Sequence, residues 1–204
     1  MCKLIQIALA VLVALGIQLL SAQEHKDAPT VDLLHPQFIY KSEPCAFTSQ
    51  HFGNMSTHVF GKGTAVVDSA LLHHGRYHSP DTRERSATSV ELTWLQKPHQ
   101  QSNLAVALYD WEWIGGSSSQ SNVIQVFGCQ GGRLSILQQI SNDAHSIHAG
   151  ANYNPETGVL TVKSVRYGAG AHCCPEKLDI VTFKWAGGGF EQISWETVTM
   201  PRSQ

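Results

Sequence analysis

The chain has 204 residues, with 14 basic and 16 acidic side chains and a formal charge of -2. This balance excludes the strongly basic class of nucleic-acid-binding proteins, which hold phosphates with clustered lysine and arginine. With 42% apolar and 15% charged residues, the composition also excludes an intrinsically disordered chain and predicts a folded one.

Residues 1–22 have the pattern of an export signal. Lys3 supplies a short positive start, and the apolar run from Ile7 to Leu20 has the length of a signal core and is short for a membrane span. We predict cleavage after Ala22, with an uncleaved N-terminal anchor as the alternative. No other segment is apolar enough to cross a bilayer as a helix, so we expect no membrane span after cleavage and a secreted or periplasmic location.

The rest of the sequence divides into two parts. Residues 23–45 contain Pro29, Pro36 and Pro44 and no clear hydrophobic period, so we interpret them as an extended arm. Residues 46–204 are predicted to form a single β-rich domain, because a chain of this length normally folds as one unit.

From Val59 onward the sequence has the pattern of β-strands. Val90, Leu92 and Trp94 alternate with polar residues, which predicts a strand with one face in a core and one in water. Apolar segments are separated by glycine-containing turns, as in successive hairpins. Three hairpin turns are predicted, at 128–132, 154–158 and 186–189. We therefore predict an all-β fold after the N-terminal signal helix, an antiparallel meander of hairpins that forms a sandwich or a partly open barrel.

Aromatic residues concentrate in the segment 103–114. Its first apolar residues occupy even positions, Leu104, Val106 and Leu108. Its aromatic residues occupy odd positions, Tyr109, Trp111 and Trp113. Either a bulge or a strand between two covered faces explains this change. We interpret the three aromatic residues as core; the alternative is that they line a carbohydrate or peptide groove.

Four cysteines remain after the predicted cleavage: Cys45, Cys129, Cys173 and Cys174. An even number in an oxidising compartment predicts disulfide bonds. A bond between Cys173 and Cys174 would be distorted, because adjacent α-carbons lie only about 3.8 Å apart. We therefore predict that these two pair with Cys45 and Cys129, in an order that the residues leave open. An unpaired Cys45 is the alternative.

The string Tyr-Gly-Ala-Gly-Ala-His-Cys-Cys-Pro at 167–175, followed by Phe-Lys-Trp-Ala-Gly-Gly-Gly-Phe at 183–190, resembles a known pattern. It is similar to the C-terminal part of small exported bacterial proteins and lipoproteins with a Cys-Cys-Pro motif, the LppP/LprE-like group. The resemblance covers about the last hundred residues, and it implies a secreted bacterial β-domain and no particular reaction. The lipid-attachment cysteine and an Asp-rich calcium loop are both missing from the sequence, so we expect neither a lipid anchor nor calcium.

Eleven histidines are many for this length, which makes a metal site a candidate. The candidate ligands are His145, His148 and His172, the last beside two thiols. No His-Glu-x-x-His or Cys-x-x-Cys pattern accompanies them, and the segment 141–152 has the composition of a loop. We therefore interpret them as loop histidines and predict no metal and no cofactor. A second group is interpreted as an ordinary exposed loop: His73, His74 and His78.

Signals for hydrolysis are few. The nucleophile motif Gly-x-Ser-x-Gly is missing, and the glycine and serine of the 115–121 loop are explained by flexibility. Asp110 and Glu112 share one strand face like a glycosidase pair, but their alternation with aromatic residues favours a solvated face.

These observations predict a secreted or periplasmic, non-enzymatic β-domain with a binding or cell-envelope role. Its expected partner is an envelope component or an extracellular ligand. The alternatives are an exported hydrolase with a site in the loops at 115–121 and 145–148, and a periplasmic metal-binding protein.

Overall fold

The computed structural model describes eight ranges of the chain. They are 31–45, 48–61, 65–79, 87–97, 104–113, 120–142, 146–167 and 175–201. The predicted signal segment, Cys173 and Cys174 lie outside them. Within these ranges, no helix is long and apolar enough to span a bilayer.

The described chain is almost entirely strand. Among the described residues one short helix forms, α1, at Ser49–Phe52. The first strands are β1 (Val31–Leu34), β2 (Phe38–Pro44), β3 (Ser56–Phe60), β4 (Val66–Leu71), β5 (Arg76–His78) and β6 (Ala87–Gln96). The later strands are β7 (Leu104–Trp113), β8 (Gln120–Gln130), β9 (Arg133–Asn142), β10 (Ser146–Asn154), β11 (Val159–Tyr167), β12 (Pro175–Trp185) and β13 (Phe190–Thr199).

The strands form three antiparallel sheets. The large sheet has the order β1-β9-β8-β7-β6-β5, and β2 pairs with β9 as well. The four-stranded sheet is a meander in the order β10-β11-β12-β13, and β3 and β4 form a separate hairpin. The predicted all-β meander is confirmed, and the described strands form no closed barrel.

The large sheet is covered on both faces. One face packs against the four-stranded sheet through a shared cluster that includes Val106, Ile124, Val126, Ile140, Leu160, Val162, Val181 and Phe183. The other face packs against α1 and the β3–β4 hairpin through a second cluster that includes Phe52, Met55, Val59, Phe60, Tyr109, Trp111, Phe127 and Ile136. We call these the four-stranded face and the hairpin face. Burial of both faces explains why apolar residues occupy both parities of the central strands.

Strand β7 shows this double burial directly. Val106 lies on the four-stranded face, whereas Tyr109 and Trp111 lie on the hairpin face with 0% and 1% exposure. The register of β7 with β8 is unbroken from Leu104 to Glu112. The strand therefore lies between two covered faces, and the alternative of a bulge in it is wrong. The core interpretation is confirmed for Tyr109 and Trp111, whose side chains are buried; the side chain of Trp113 lies outside the described part.

All three predicted hairpins form, as β8–β9, β10–β11 and β12–β13. Gly131 and Gly132 have φ angles of 58° and 75°, which glycine adopts without a steric cost in a tight hairpin turn. In the next turn the side-chain Oδ1 of Asn154 accepts hydrogen bonds from the backbone N–H groups of Glu156 and Thr157. The glycine and asparagine residues that predicted these turns therefore form them in the structure.

The segment interpreted as an arm supplies two edge strands. β1 pairs with the second half of β9, and β2 pairs with its first half. Pro36 lies between the two strands and Pro44 ends β2. Proline is tolerated there because an edge strand leaves some of its N–H groups out of the ladder.

Cys45 is bonded to Cys129, so the predicted pairing with Cys173 and Cys174 is wrong for both residues. The α-carbons of the bonded pair lie 5.7 Å apart, and the Cys45 N–H donates to the Gly132 carbonyl at 3.1 Å. The reason is the course of β2, which runs along the start of β9 and so ends beside the β8–β9 turn. The alternative of an unpaired Cys45 is also wrong.

Candidate functional site

A cleft of about 380 Å³ opens where α1, the turn before β5 and strand β6 meet. Its lining consists of Gln50, Gly53, Asn54, His74, Gly75, Leu92 and Trp94. We call it the Trp94 cleft. Its size falls within the range of about 300 to 1,000 Å³ that small-ligand sites occupy.

A backbone network forms the floor of the cleft. The Gly75 N–H donates to the Gly53 carbonyl at 2.8 Å, and the Gly75 carbonyl accepts from the Leu92 N–H at 2.8 Å. Gly75 has a φ of +80°, a conformation that a residue with a Cβ rarely adopts. Glycine at this position therefore allows the backbone to hydrogen-bond with both the residue after α1 and strand β6 without steric strain.

The single turn of α1 is fixed at both ends. Thr48 caps it, since its Oγ1 accepts a hydrogen bond from the His51 N–H at 3.1 Å. Phe52, which has no exposed surface, anchors it in the core of the hairpin face. Just beyond it, Asn54 accepts from the His74 N–H through Oδ1 at 3.2 Å and donates to the Gln50 carbonyl at 2.8 Å. Hydrogen bonds of the Asn54 side chain therefore hold the polar side of the cleft in place.

Trp94 forms the aromatic side of the cleft and is half-buried. Its ring meets Phe52 at a centroid distance of 5.3 Å and an angle of 88°, and Phe52 in turn meets Phe127 at 4.9 Å and 74°. Edge-to-face contacts of this kind are favourable in addition to the area that they bury. The indole is therefore held by the core while part of it stays accessible to a ligand.

The alternation that predicted β6 is confirmed, but the burial of its apolar residues differs along the strand. Val90 is buried, whereas Leu92 and Trp94 keep part of their surface and line the cleft. The sequence pattern predicted only their packing and gave no sign of a cleft. No local signal could have found it, because α1 and the turn before β5 reach β6 from positions about 20 to 40 residues away.

A second hollow, of about 240 Å³, lies on the opposite side of β6. Its lining consists of Ser89, Glu91, Asp110, Trp111, Glu112 and Asn122. Arg76 Nη2 lies 2.8 Å from Glu91 Oε1, and the Ser89 hydroxyl donates to Glu112 Oε2 at 2.8 Å. These carboxylates are therefore engaged by neighbouring side chains.

Asp110 lies opposite Glu91 and is exposed. Partial burial raises the pKa of its carboxyl, the hydrogen bond from Asn122 opposes that shift, and the charge of Glu91 adds to it. Asp110 and Glu112 do share one face, and both are exposed. The interpretation as a solvated strand face is confirmed.

The histidine candidates are not brought together in the described structure. His145 and His172 lie outside it, and His148 is described only by its backbone in β10, at a register shift before Gly150. The prediction of a loop is wrong for residues 141–142, which end β9, and for residues 146–152, which pair with β11 despite their loop-like composition. Among the described residues, no group of three or more His, Cys, Asp or Glu is placed to hold a metal ion. The other group is exposed as predicted, with its last member in a strand: His73, His74 and His78.

The loops proposed for the hydrolase alternative, 115–121 and 145–148, lie mostly outside the described residues. No family model, curated protein or solved structure matches this chain. The similarity of residues 167–190 to exported Cys-Cys-Pro proteins stays a prediction from the sequence.

Proposed function

We propose that this protein is a non-enzymatic binding domain, exported from the cytoplasm, that takes its ligand in the Trp94 cleft. One observation carries the proposal: an indole that packs against the core lies beside amide and imidazole side chains in a hollow of ligand size. Ligand sites typically combine an apolar wall with a few polar groups that orient the ligand.

The rigidity of the surroundings supports this role. Trp94 is carried by β6, which pairs with β7 over most of its length, and Gln50 is carried by a capped turn. A site that is already ordered loses little conformational entropy when a ligand binds. The cleft is therefore suited to recognition by side chains that need not rearrange.

Export is supported by the Cys45–Cys129 bond. Disulfide bonds form and persist in oxidising compartments and are rare in the cytosol. Together with the export pattern in residues 1–22, this favours a secreted or periplasmic location, where the ligand is an envelope component or an extracellular molecule.

The test is an NMR titration of the exported, isotope-labelled protein. The probes are neutral oligosaccharides, uncharged short peptides and small uncharged aromatic molecules. We expect at least one class to shift the backbone amides of residues 50–54, 74–75 and 92–94, and the shifts to be lost in Trp94→Ala. Trp94→Phe, which keeps an aromatic ring, guards against a loss caused by unfolding.

Trp185→Phe is the matched control, because Trp185 is also half-buried but contacts Phe190 on the four-stranded sheet. It should leave the titration unchanged. Shifts that avoid the cleft, or that persist in a folded Trp94→Ala variant, would reject the proposal.

A further inference from the structure

We infer that the ligand of the Trp94 cleft is a neutral carbohydrate. The inference rests on the proposed function and names its ligand class. A sugar ring has an apolar C–H face and a rim of hydroxyl groups, so its binding site needs an apolar platform beside hydrogen-bonding side chains. The cleft offers both, with Trp94 and Leu92 on one side and amide and imidazole groups on the other.

The polar groups suit hydroxyls in particular. A primary amide has two N–H donors and a carbonyl acceptor with two lone pairs, so one amide can donate to one hydroxyl and accept from its neighbour. Gln50 carries such an amide on an exposed side chain at the rim of the cleft. Asn54 and His74 add further polar atoms to the same rim.

The lining has no Asp, Glu, Lys or Arg side chain, which favours an uncharged ligand. The nearest acidic group on β6, Glu91, lies on the other side of the strand and pairs with Arg76. A phosphorylated or carboxylated sugar would find no Lys or Arg among the lining residues.

The backbone of the cleft disfavours an extended peptide. Four backbone N–H groups of the lining are bonded within the protein: those of Asn54, His74, Gly75 and Leu92. Peptides that bind by strand addition need a row of free backbone groups. Here recognition has to come from side chains, which is how hydroxyl-rich ligands are held.

The experiment is isothermal titration of the exported protein with neutral hexasaccharides of glucose, mannose, xylose and N-acetylglucosamine, in α- and β-linked forms where they exist. We expect at least one to bind, with its NMR shifts on residues 50–54, 74–75 and 92–94. Trp94→Ala should weaken binding at least about tenfold, and Trp94→Phe should weaken it less. Gln50→Ala should weaken it about two- to tenfold, the usual effect of losing one hydrogen bond. Trp185→Phe should bind as the wild type does.

Salt supplies a further readout. Because no Asp, Glu, Lys or Arg side chain lines the cleft, the affinity should be the same within about twofold between about 50 and 500 mM NaCl. A steep loss of affinity with salt would overturn the inference.

The possible failures are distinguishable. If peptides or aromatic molecules shift the cleft amides and no hexasaccharide binds at about 10 mM, the carbohydrate inference falls while the binding proposal stands. If no probe of any class reaches these amides, both fall.

Discussion

The two faces of the large sheet are attached to their covering layers by neighbouring glutamines of β9. Gln139 is buried on the hairpin face, where its amide donates to the Phe60 carbonyl at 2.8 Å and accepts from the Phe60 N–H at 3.0 Å. Gln138 is buried on the four-stranded face, where its amide donates to the Phe190 carbonyl at 3.0 Å and accepts from the Phe190 N–H at 2.6 Å. In both places a side-chain amide makes two hydrogen bonds, to the N–H and the carbonyl of one residue, as a neighbouring strand would.

The surroundings of the two amides differ. On the hairpin face Gln125 also donates to Gln139 Oε1 at 3.2 Å and to the His58 carbonyl. On the four-stranded face Gln138 presses against Gly189, where an added Cβ would lie 2.5 Å from its Nε2. One layer is held by a network of amides and the other by a single amide that fits only against glycine. Buried polar groups stabilise a fold only when they are satisfied, so the two attachments should respond differently to substitution.

The largest effect should come from the disulfide, which ties β2 to the β8–β9 turn. Replacing Cys45 and Cys129 together by serine removes a cross-link with a sequence separation of 84. The chain-entropy estimate predicts a loss of about 4 to 5 kcal/mol in the free energy of unfolding. Urea unfolding of the variant measures it, and a change below about 1 kcal/mol would contradict the estimate and show that the unfolded chain is already restricted without the bond.

Next in size is Trp111→Ala, which empties the core of the hairpin face. Trp111 is among the largest fully buried side chains, and its truncation should cost about 3 to 5 kcal/mol through lost burial and a residual cavity. Phe183→Ala tests the four-stranded face in the same way, with a similar expected loss. A denaturation midpoint close to that of the wild type for Trp111→Ala would contradict its role as core.

The amide contrast itself is tested by Gln138→Leu. The variant leaves the buried N–H and carbonyl of Phe190 without their partner, and we expect a loss of about 2 to 4 kcal/mol. Gln139→Leu should cost a similar amount on the other face. Double variants distinguish the two attachments. The losses of unfolding free energy from Gln125→Leu and Gln139→Leu should be non-additive by about 0.5 to 3 kcal/mol, whereas those from Gln125→Leu and Gln138→Leu should add.

Gly189→Ala is the control for this contrast. It should destabilise the wild type, because the new Cβ collides with the Gln138 amide. In a Gln138→Ala background most of that penalty should disappear. Equal penalties in both backgrounds would show that the contact does not set the fit of β13.

The smallest expected effect is a dependence on pH from the hairpin face. His58 is half-buried, with its ring 4.7 Å from that of Phe38, and burial lowers its pKa from the usual 6.5. Because the unfolded chain takes up this proton first, the contribution of His58 to stability is complete above about pH 6.5 and falls as the pH drops below it. Unfolding free energies measured between about pH 7.5 and 5 should show a shallower slope in His58→Gln. A slope in His58→Gln equal to that of the wild type would contradict this effect of burial.

Strand β6 and the three hairpin turns were determined by local sequence. Alternation in β6 predicted which of its faces enters a core, and Gly131 with Gly132 predicted a hairpin turn. Side-chain direction in a strand and positive φ at glycine depend on steric rules within a few residues. That is why the all-β fold and all three hairpins follow from the sequence.

Partners and exposure were decided only by the tertiary structure. Cys45 pairs with Cys129 because β2 lies along β9, a relation that no spacing between cysteines reveals. Likewise, the same alternating pattern buries Val90 but leaves Trp94 partly open, since α1 and the turn before β5 stop short of covering it. Contacts between residues tens of positions apart depend on how layers pack. A local pattern carries no information about which layer packs against a strand or how much of that strand it covers.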